Sequence, residues 1–184
     1  LPFNPSWVML DRDEKISDAI TDYERSISST GQFNFPETKV KADVVNAGSG
    51  TTLIRVEHNW VKPDGFKFSN PGVRLSDYHY WKIDGIFAPG FQARGTFTYD
   101  GSTSMSTGWL DNTLILTGQK EDSLVILHRA APGDEWSIVT AATLSKGTSA
   151  TDKKGSLIVD TLQKGEYVLG MRDYTAESPA ATAV

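Results

Sequence analysis

The amino-acid sequence predicts an all-β protein, an antiparallel β-sandwich of immunoglobulin-like or jelly-roll-like type. Two observations predict this class. Apolar and polar residues alternate with a period of two, most clearly in "FQARGTFTYDG", as in a strand with one buried face. Short apolar runs also recur along the chain, separated by turn clusters such as "NAGSG", "KPDG" and "APGD". Many short strands separated by Gly, Pro, Asn and Asp are typical of sandwiches.

The strand over residues 91–100 has the clearest pattern. Its one face carries Phe91, Ala93, Gly95, Phe97 and Tyr99, and polar or charged residues lie between them. Because side chains alternate across a strand, we expect the aromatic face to pack in the core. In chain order, the segments with a strand pattern are "KVKADVV", "TTLIRVEHNWV", "HYWKIDGIF", "FQARGTFTYDG", "DSLVILHRA", "EWSIVTAAT", "GSLIVDTL" and "GEYVLGMR".

The segment near residues 13–28 leaves two alternatives open. Ile16, Ile20, Tyr23 and Ile27 stand at i, i+4, i+7 and i+11, which is the spacing of one helical face. The β-branched and Ser-rich content of the same segment, with strand patterns around it, favours a strand. The sequence therefore predicts one short helix or one further strand here.

The domain organisation is predicted from composition. Residues 1–172 form the predicted β-sandwich region, and the polar, Pro- and Gly-bearing connection at residues 67–77 marks a place where it divides into 1–70 and 71–172. One sandwich and two smaller ones both fit the length. The C-terminal "AESPAATAV" has low complexity, so residues 173–184 are predicted to be a disordered tail.

Composition excludes several functions. The 184 residues are 39% hydrophobic, enough for a sizeable core. Net charge is -5, without acidic or basic blocks, which argues against nucleic acid or an anionic membrane as partner. No cysteine is present, so disulfides and thiolate chemistry are excluded. No apolar run approaches the roughly 20 residues of a membrane span. The start "LPFNPSW" lacks an initiator Met, which suggests a fragment or a mature form.

The stretch "VEHNW" looks like part of a metal site, but its alternation argues otherwise. In an extended strand, Glu57 and His58 point to opposite faces of the sheet. The other histidines, His79 and His128, also lie in predicted strands, and no pair has the spacing of H-E-x-x-H. We therefore predict no catalytic residue and no metal ligand in this chain, and no cofactor bound by it.

A loop rich in Ser and Gly follows the strand over residues 91–100. Asp100, Asp111 and Asn112 flank this loop, and their side-chain oxygens are ligands that Ca²⁺ accepts. No calcium-binding motif is present, so a structural calcium ion here remains an open alternative.

The aromatic residues suggest a binding surface, since exposed rings on β-sandwiches stack against sugars. For most of them, Trp60 and Trp81 included, core packing is the better interpretation, because large aromatic side chains dominate sandwich cores. Trp109 lies beside a Gly and a loop, so we expect it to be exposed. Trp109, Tyr78 and Tyr80 are the predicted ligand-binding residues. The full set of candidates is Trp60, Tyr78, Tyr80, Trp81, Trp109 and Trp136.

Several ordered motifs carry a family resemblance. "IRVEHNWVKPDG", "LSDYHYWKIDGIFAPGFQARGTFTYDG", "EDSLVILHRAAPGDEW" and "GEYVLGMR" resemble the C-terminal region of secreted zinc metallopeptidases of the aminopeptidase N-type (gluzincin) group found in Bacteroidetes. The resemblance covers residues 3 to about 172 and rests on structural motifs, not catalytic ones. It implies a non-catalytic accessory domain that packs on the catalytic domain of the same polypeptide.

The same resemblance implies where the chemistry and the protein are located. Zinc and its H-E-x-x-H motif would belong to an upstream catalytic domain, and none of that motif is in this chain. The location implied is extracellular, periplasmic or cell-surface. Two other functions remain open from the residues alone, namely a carbohydrate-binding or adhesive β-sandwich module, with a glycan as partner, and a hydrolase with two carboxylates in a groove.

Overall fold

The computed structural model describes residues 4–8, 19–68, 71–102, 109–116, 121–147, 149 and 152–173. Two antiparallel sheets pack against each other, so the predicted all-β sandwich is confirmed. Within the described residues, helical structure is limited to two short 3₁₀ turns, Trp109–Asp111 and Glu121–Ser123. The strands are β1 (Ile20–Ile27), β2 (Gly31–Phe35), β3 (Val40–Asn46), β4 (Thr52–Asn59), β5 (Val73–Leu75), β6 (Tyr80–Ile86), β7 (Gln92–Asp100), β8 (Leu124–Arg129), β9 (Ser137–Ile138), β10 (Ala142–Lys146), β11 (Lys154–Val159) and β12 (Gly165–Arg172).

Each of the two sheets contains strands from the first and from the second half of the chain. The seven-stranded sheet has the order β1-β4-β6-β12-β8-β9, with β5 paired to β12, and the five-stranded sheet has the order β10-β11-β7-β3-β2. The connection at residues 67–77, where the sequence predicts a division, contains β5. Because β4 pairs with β6 and β3 pairs with β7, strands from both sides of residue 70 share each sheet. The predicted tail beyond Asp173 lies outside the described residues.

The segment near residues 13–28 forms a strand where it is described. Residues 20–27 are β1, and all eight of them pair with β4, from Ile20 opposite Asn59 to Ile27 opposite Thr52. The helix alternative is therefore wrong for these residues, while residues 13–18 lie outside the described part of the chain. β-branched residues pack well on a pleated surface, and eight residues of ladder hydrogen bonds outweigh the helical spacing.

Strand β7 confirms the alternation read from the sequence. Ala93, Phe97 and Tyr99 are buried between the sheets, whereas Arg94 is exposed. The core that they join draws on both sheets and is almost entirely aliphatic and aromatic. Its largest fully buried side chains are Trp81, Tyr99, Tyr167, Phe35 and Phe97.

A row of charged side chains crosses the outer face of the seven-stranded sheet. The strand registers place Asp22, Glu57, Lys82, Glu166 and Arg129 side by side on five neighbouring strands. Lys82 Nζ lies 3.4 Å from Glu57 Oε2, and Arg129 Nε lies 2.5 Å from Glu166 Oε2. The opposite charges in this row stabilise the sheet and favour one register. Asp22 and Glu57 carry like charges, and Arg55 forms ion pairs with both of them.

A second, smaller apolar cluster lies on this outer face. Val73, Leu127, Trp136 and Val168 form it, and Phe66 from the connection between β4 and β5 packs against it. The connection is therefore held onto the sheet by burial of apolar surface. The predicted burial of Trp136 is confirmed.

Candidate functional site

Three apolar side chains are exposed where β4 ends and β6 begins, an end of the sheet that we call the β4–β6 end. Trp60 is 48% exposed, Val61 47% and Tyr78 46%. The segments that carry them run side by side, because Asn59 pairs with Tyr80 at the strand ends. Large apolar side chains that gather at one end of a module mark a candidate contact surface.

The indole of Trp60 is held in place although it is exposed. Its Nε1 donates a hydrogen bond to Thr21 Oγ1 at 3.2 Å, and its backbone N–H donates to Ala19 O at 2.7 Å. The ring lines a shallow pocket of about 280 Å³ with Ala19, Ile20 and Thr21. A ring fixed before binding loses little conformational entropy when a partner packs on it.

An ion pair borders this surface. Lys62 Nζ lies 2.7 Å from Asp77 Oδ1; the lysine side chain is exposed and the aspartate is half-buried. The pair joins the segment that leaves β4 to the segment that enters β6. An apolar centre with a charged border is the usual arrangement of a protein interface.

A chain of hydrogen bonds between buried side chains lies at the same end of the sandwich. His58 Nε2 is 2.9 Å from His79 Nδ1, and His79 Nε2 is 2.7 Å from Asp111 Oδ1. The backbone N–H of Asp100, at the end of β7, donates to Asp111 Oδ2 at 2.8 Å. His58, His79 and Asp111 are completely buried. These hydrogen bonds therefore connect the seven-stranded sheet to the end of β7 in the other sheet.

One arrangement of protons satisfies both hydrogen bonds of His58 and His79 while both rings are neutral. With Asp111 ionised, His79 Nε2–H donates to the carboxylate, so His79 Nδ1 accepts the Nε2–H of His58. The remaining ring nitrogen, His58 Nδ1, makes no hydrogen bond. Burial lowers the pKa of His58 to about 3, and electrostatic repulsion from His79 and Lys39 acts in the same direction.

Aromatic rings hold His58 in position. Its imidazole stacks on the indole of Trp81, with centroids 5.2 Å apart and planes inclined by 16°. Trp81 Nε1 donates to Thr38 O at 2.7 Å, which fixes the indole against the turn between β2 and β3. The predicted burial of Trp81 is confirmed, since the residue is completely buried. The imidazole of His58 is therefore held by stacking on Trp81 and by its hydrogen bond to His79.

Glu57 and His58 face opposite sides of the sheet, as the alternation predicts. Glu57 Oε1 accepts a hydrogen bond from Arg55 Nε at 3.1 Å on the outer face, whereas His58 lies in the core. Among the described residues, no group of three or more His, Asp or Glu side chains has an arrangement able to hold a metal ion. Both carboxylate oxygens of Asp111 already accept hydrogen bonds.

The predicted ligand-binding residues occupy different environments. Tyr78 is exposed, whereas Tyr80 is half-buried and packs on the second apolar cluster. Burial, then the charge of Glu166, raises the pKa of Tyr80 above its ordinary value. Trp109 begins the 3₁₀ turn that ends at Asp111, but its side chain lies outside the described part of the structure. The backbone near Trp109 therefore reaches the β4–β6 end, and the role of its indole stays a prediction.

The structure corrects the expectation for Trp60 and adds a feature that the sequence did not predict. The alternation of β4 predicts that Trp60 is buried, but the strand ends at Asn59 and Trp60 is exposed. Beyond the end of the strand, the pattern no longer decides which side a residue faces. The pairing of His58 with His79 joins residues 21 positions apart. No local spacing signals it, because it depends on the register between β4 and β6.

Comparisons with protein-family models, with curated proteins and with solved structures find no match. In the part of the chain that the structure describes, no helix is long and apolar enough to cross a membrane.

Proposed function

We propose that this chain is a non-catalytic accessory domain of a larger secreted zinc metallopeptidase of the aminopeptidase N type, and that it packs on the catalytic part through the β4–β6 end. The observation that carries the proposal is the exposure of Trp60, Val61 and Tyr78 together at one end of the sandwich. Zinc and the general base are supplied by the catalytic part. The motifs quoted above provide the link to this group of enzymes.

The physical argument is the cost of exposed apolar surface. Large aromatic side chains that remain in water on an isolated module gain free energy when a partner covers them, by roughly 25 cal/mol per Å². Tryptophan and tyrosine are also the residues that most often dominate binding energy at interfaces. The buried histidines support a non-catalytic role, since neither His58 nor His79 is accessible to a substrate.

Binding between separately produced parts tests the proposal. The reading frame upstream is sequenced for an H-E-x-x-H domain, and that domain is titrated with this chain by calorimetry. We expect binding that weakens about 30-fold or more in the double variant Trp60→Ala, Tyr78→Ala, as for interface hot spots. Val45→Ala is the matched control, since Val45 is an exposed apolar residue on the other sheet. Equal weakening by the control, or absence of binding, contradicts the proposed surface.

Activity of the isolated chain provides a second test. An accessory domain should hydrolyse no peptide substrate and should bind no stoichiometric zinc. Hydrolysis together with one tightly bound zinc ion per chain contradicts the proposal.

A carbohydrate-binding or adhesive module is the second candidate function. The observation that favours it is the fixed, exposed ring of Trp60, because a preorganised indole is a stacking platform for a sugar. Binding to a glycan array that is lost in Trp60→Ala supports this function, and Trp109→Ala tests the residue predicted from the sequence. No signal on a broad array argues against it.

A further inference from the structure

The buried chain of His58, His79 and Asp111 holds the segment 109–116 at the end of the sandwich. Asp111 is the last residue of the first 3₁₀ turn, and its backbone carbonyl accepts hydrogen bonds from the N–H groups of Leu114 and Ile115 at 3.1 and 2.9 Å. Leu114 and Ile115 are buried in the core. The side chain of Asp111 therefore fastens a turn on which two core residues depend.

Among the described residues, Arg74 and Lys153 also anchor this segment, and both are cations. Arg74 donates from Nη1 to Thr113 O and from Nη2 to Leu114 O at 2.8 and 2.7 Å. Lys153 Nζ donates to Ile115 O at 2.8 Å. Arginine and lysine keep their positive charge in acid, so these anchors do not respond to a fall in pH. The anchor through Asp111 contains the groups that do respond.

The hydrogen-bonded chain of His58, His79 and Asp111 can hold only a limited number of protons. Each imidazole carries one proton in the neutral state, and both hydrogen bonds are then satisfied. If both rings are protonated, an N–H of His58 faces an N–H of His79 across 2.9 Å, where no acceptor remains. The titratable and charged groups that face His58 are His79 beside β6, Lys39 in the turn between β2 and β3, and Asp111 behind His79.

We infer that the His58–His79–Asp111 chain is an acid-sensitive latch, which holds the turn around Asp111 on the sandwich at neutral pH and releases it in acid. Release breaks the hydrogen bond between the two rings and frees the Asp111 carboxylate from His79 and from Asp100 N–H. Because this turn lies at the β4–β6 end, acid loosens the same end of the molecule that exposes Trp60 and Tyr78.

The pH range of the latch follows from proton binding. Burial lowers the pKa of His58 to about 3 in the closed state, and exposure to water in the open state returns it to about 6.5. Between these values the open state binds one proton more than the closed state. The equilibrium constant for opening then rises about tenfold for each unit of pH decrease.

Native-state hydrogen exchange followed by NMR tests the latch. The reporters are the amides of Asp100, Leu114 and Ile115, which bond to the side chain or carbonyl of Asp111. After correction for intrinsic exchange, we expect their protection to fall about 100-fold between pH 6 and pH 4. The reference is the amide of Val139, which bonds to Ile126 O. Protection of the three reporters equal to that of Val139 at both pH values would indicate exchange through global unfolding and would overturn the inference.

Two variants separate the latch from other acid effects. In His58→Gln the side-chain amide still donates toward His79 but does not titrate, so the pH dependence of the three reporters should disappear. His128→Gln is the matched control, because His128 is a titratable histidine that bonds to Lys164 O outside the chain; its pH dependence should match the parent's. Unchanged pH dependence in His58→Gln overturns the inference.

A measurement on the unmodified protein covers the case in which His58→Gln does not fold. Nitrogen-15 spectra of the histidine rings should show His58 protonated on one ring nitrogen alone at pH 7. Protonation of both ring nitrogens of His58 at pH 7 overturns the inference, because the proton that opens the latch would then already be bound in the closed state.

Discussion

The guanidinium of Arg129 lies over the indole of Trp136, with 4.2 Å between the guanidinium carbon and the ring centroid. The same guanidinium donates to Glu166 at 2.5 Å and, through both terminal nitrogens, to Asp64 at 2.7 and 3.2 Å. Trp136 Nε1 completes the group by donating to Asp64 O at 2.9 Å. One buried arginine thus ties the connection between β4 and β5 to the outer face of the sheet.

Arg129→Met should therefore lower the free energy of unfolding by about 3 to 5 kcal/mol, because it leaves the buried carboxylate of Glu166 without its cation. Urea denaturation measures the loss. The double variant Arg129→Met, Glu166→Met should recover part of it, since a well-packed apolar pair removes the unpaired charge. As control, Lys146→Ala breaks an exposed pair with Asp122 and should change the free energy of unfolding far less, because water and salt screen an exposed pair. Equal losses in both single variants would contradict this account.

Stability should depend on pH through His58. The pKa of His58 is about 3 in the folded protein and 6.5 in the unfolded chain, so between these values only the unfolded chain is protonated there. The free energy of unfolding is then highest above pH 6.5 and falls with acid by up to about 1.4 kcal/mol per pH unit. Urea denaturation from pH 7 to pH 4 should show a shallower decline in His58→Gln than in the parent. Identical slopes would mean that His58 titrates normally when folded.

Phe97→Ala should destabilise the protein by about 3 to 5 kcal/mol, as is typical when a large core aromatic residue is truncated. Phe97 is completely buried, and its ring contacts those of Trp81 and Tyr167. Thr96→Ala, on the opposite face of the same strand, should change stability by less than about 1 kcal/mol. Thermal and urea unfolding measure both. A loss below about 1 kcal/mol for Phe97→Ala would contradict the register of β7.

Gly85→Ala should destabilise β6. The backbone at Gly85 has a φ of 126°, which an L side chain rarely adopts, and a Cβ there would overlap the carbonyl oxygen of Leu53 on the neighbouring strand. The expected loss is about 1 to 3 kcal/mol or more. Gly65→Ala is the control, because a Cβ at Gly65 meets no atom within 4 Å. If both variants melt at the same temperature, the strain at Gly85 is absent.

The sequence predicted burial correctly for residues inside strands and poorly for residues at strand ends. Alternation placed Phe97 and His58 on inner faces, and the structure agrees. The same rule placed Trp60 in the core, yet this residue follows the last residue of β4 and is exposed. Helical spacing and strand content competed in residues 20–27, and pairing with β4 decided between them. Local patterns describe a strand's two faces, whereas an end or an ambiguous segment depends on its neighbours in space.

By itself the sequence determined the fold class, the approximate position of most strands and the face on which their side chains lie. These properties follow from composition and from the period of two along a single strand. The register between β4 and β6, the chain of His58, His79 and Asp111, and the exposed surface at the β4–β6 end were decided only by the tertiary structure. The physical reason is that each depends on contacts between residues far apart in the chain, which only the packing of the strands brings together.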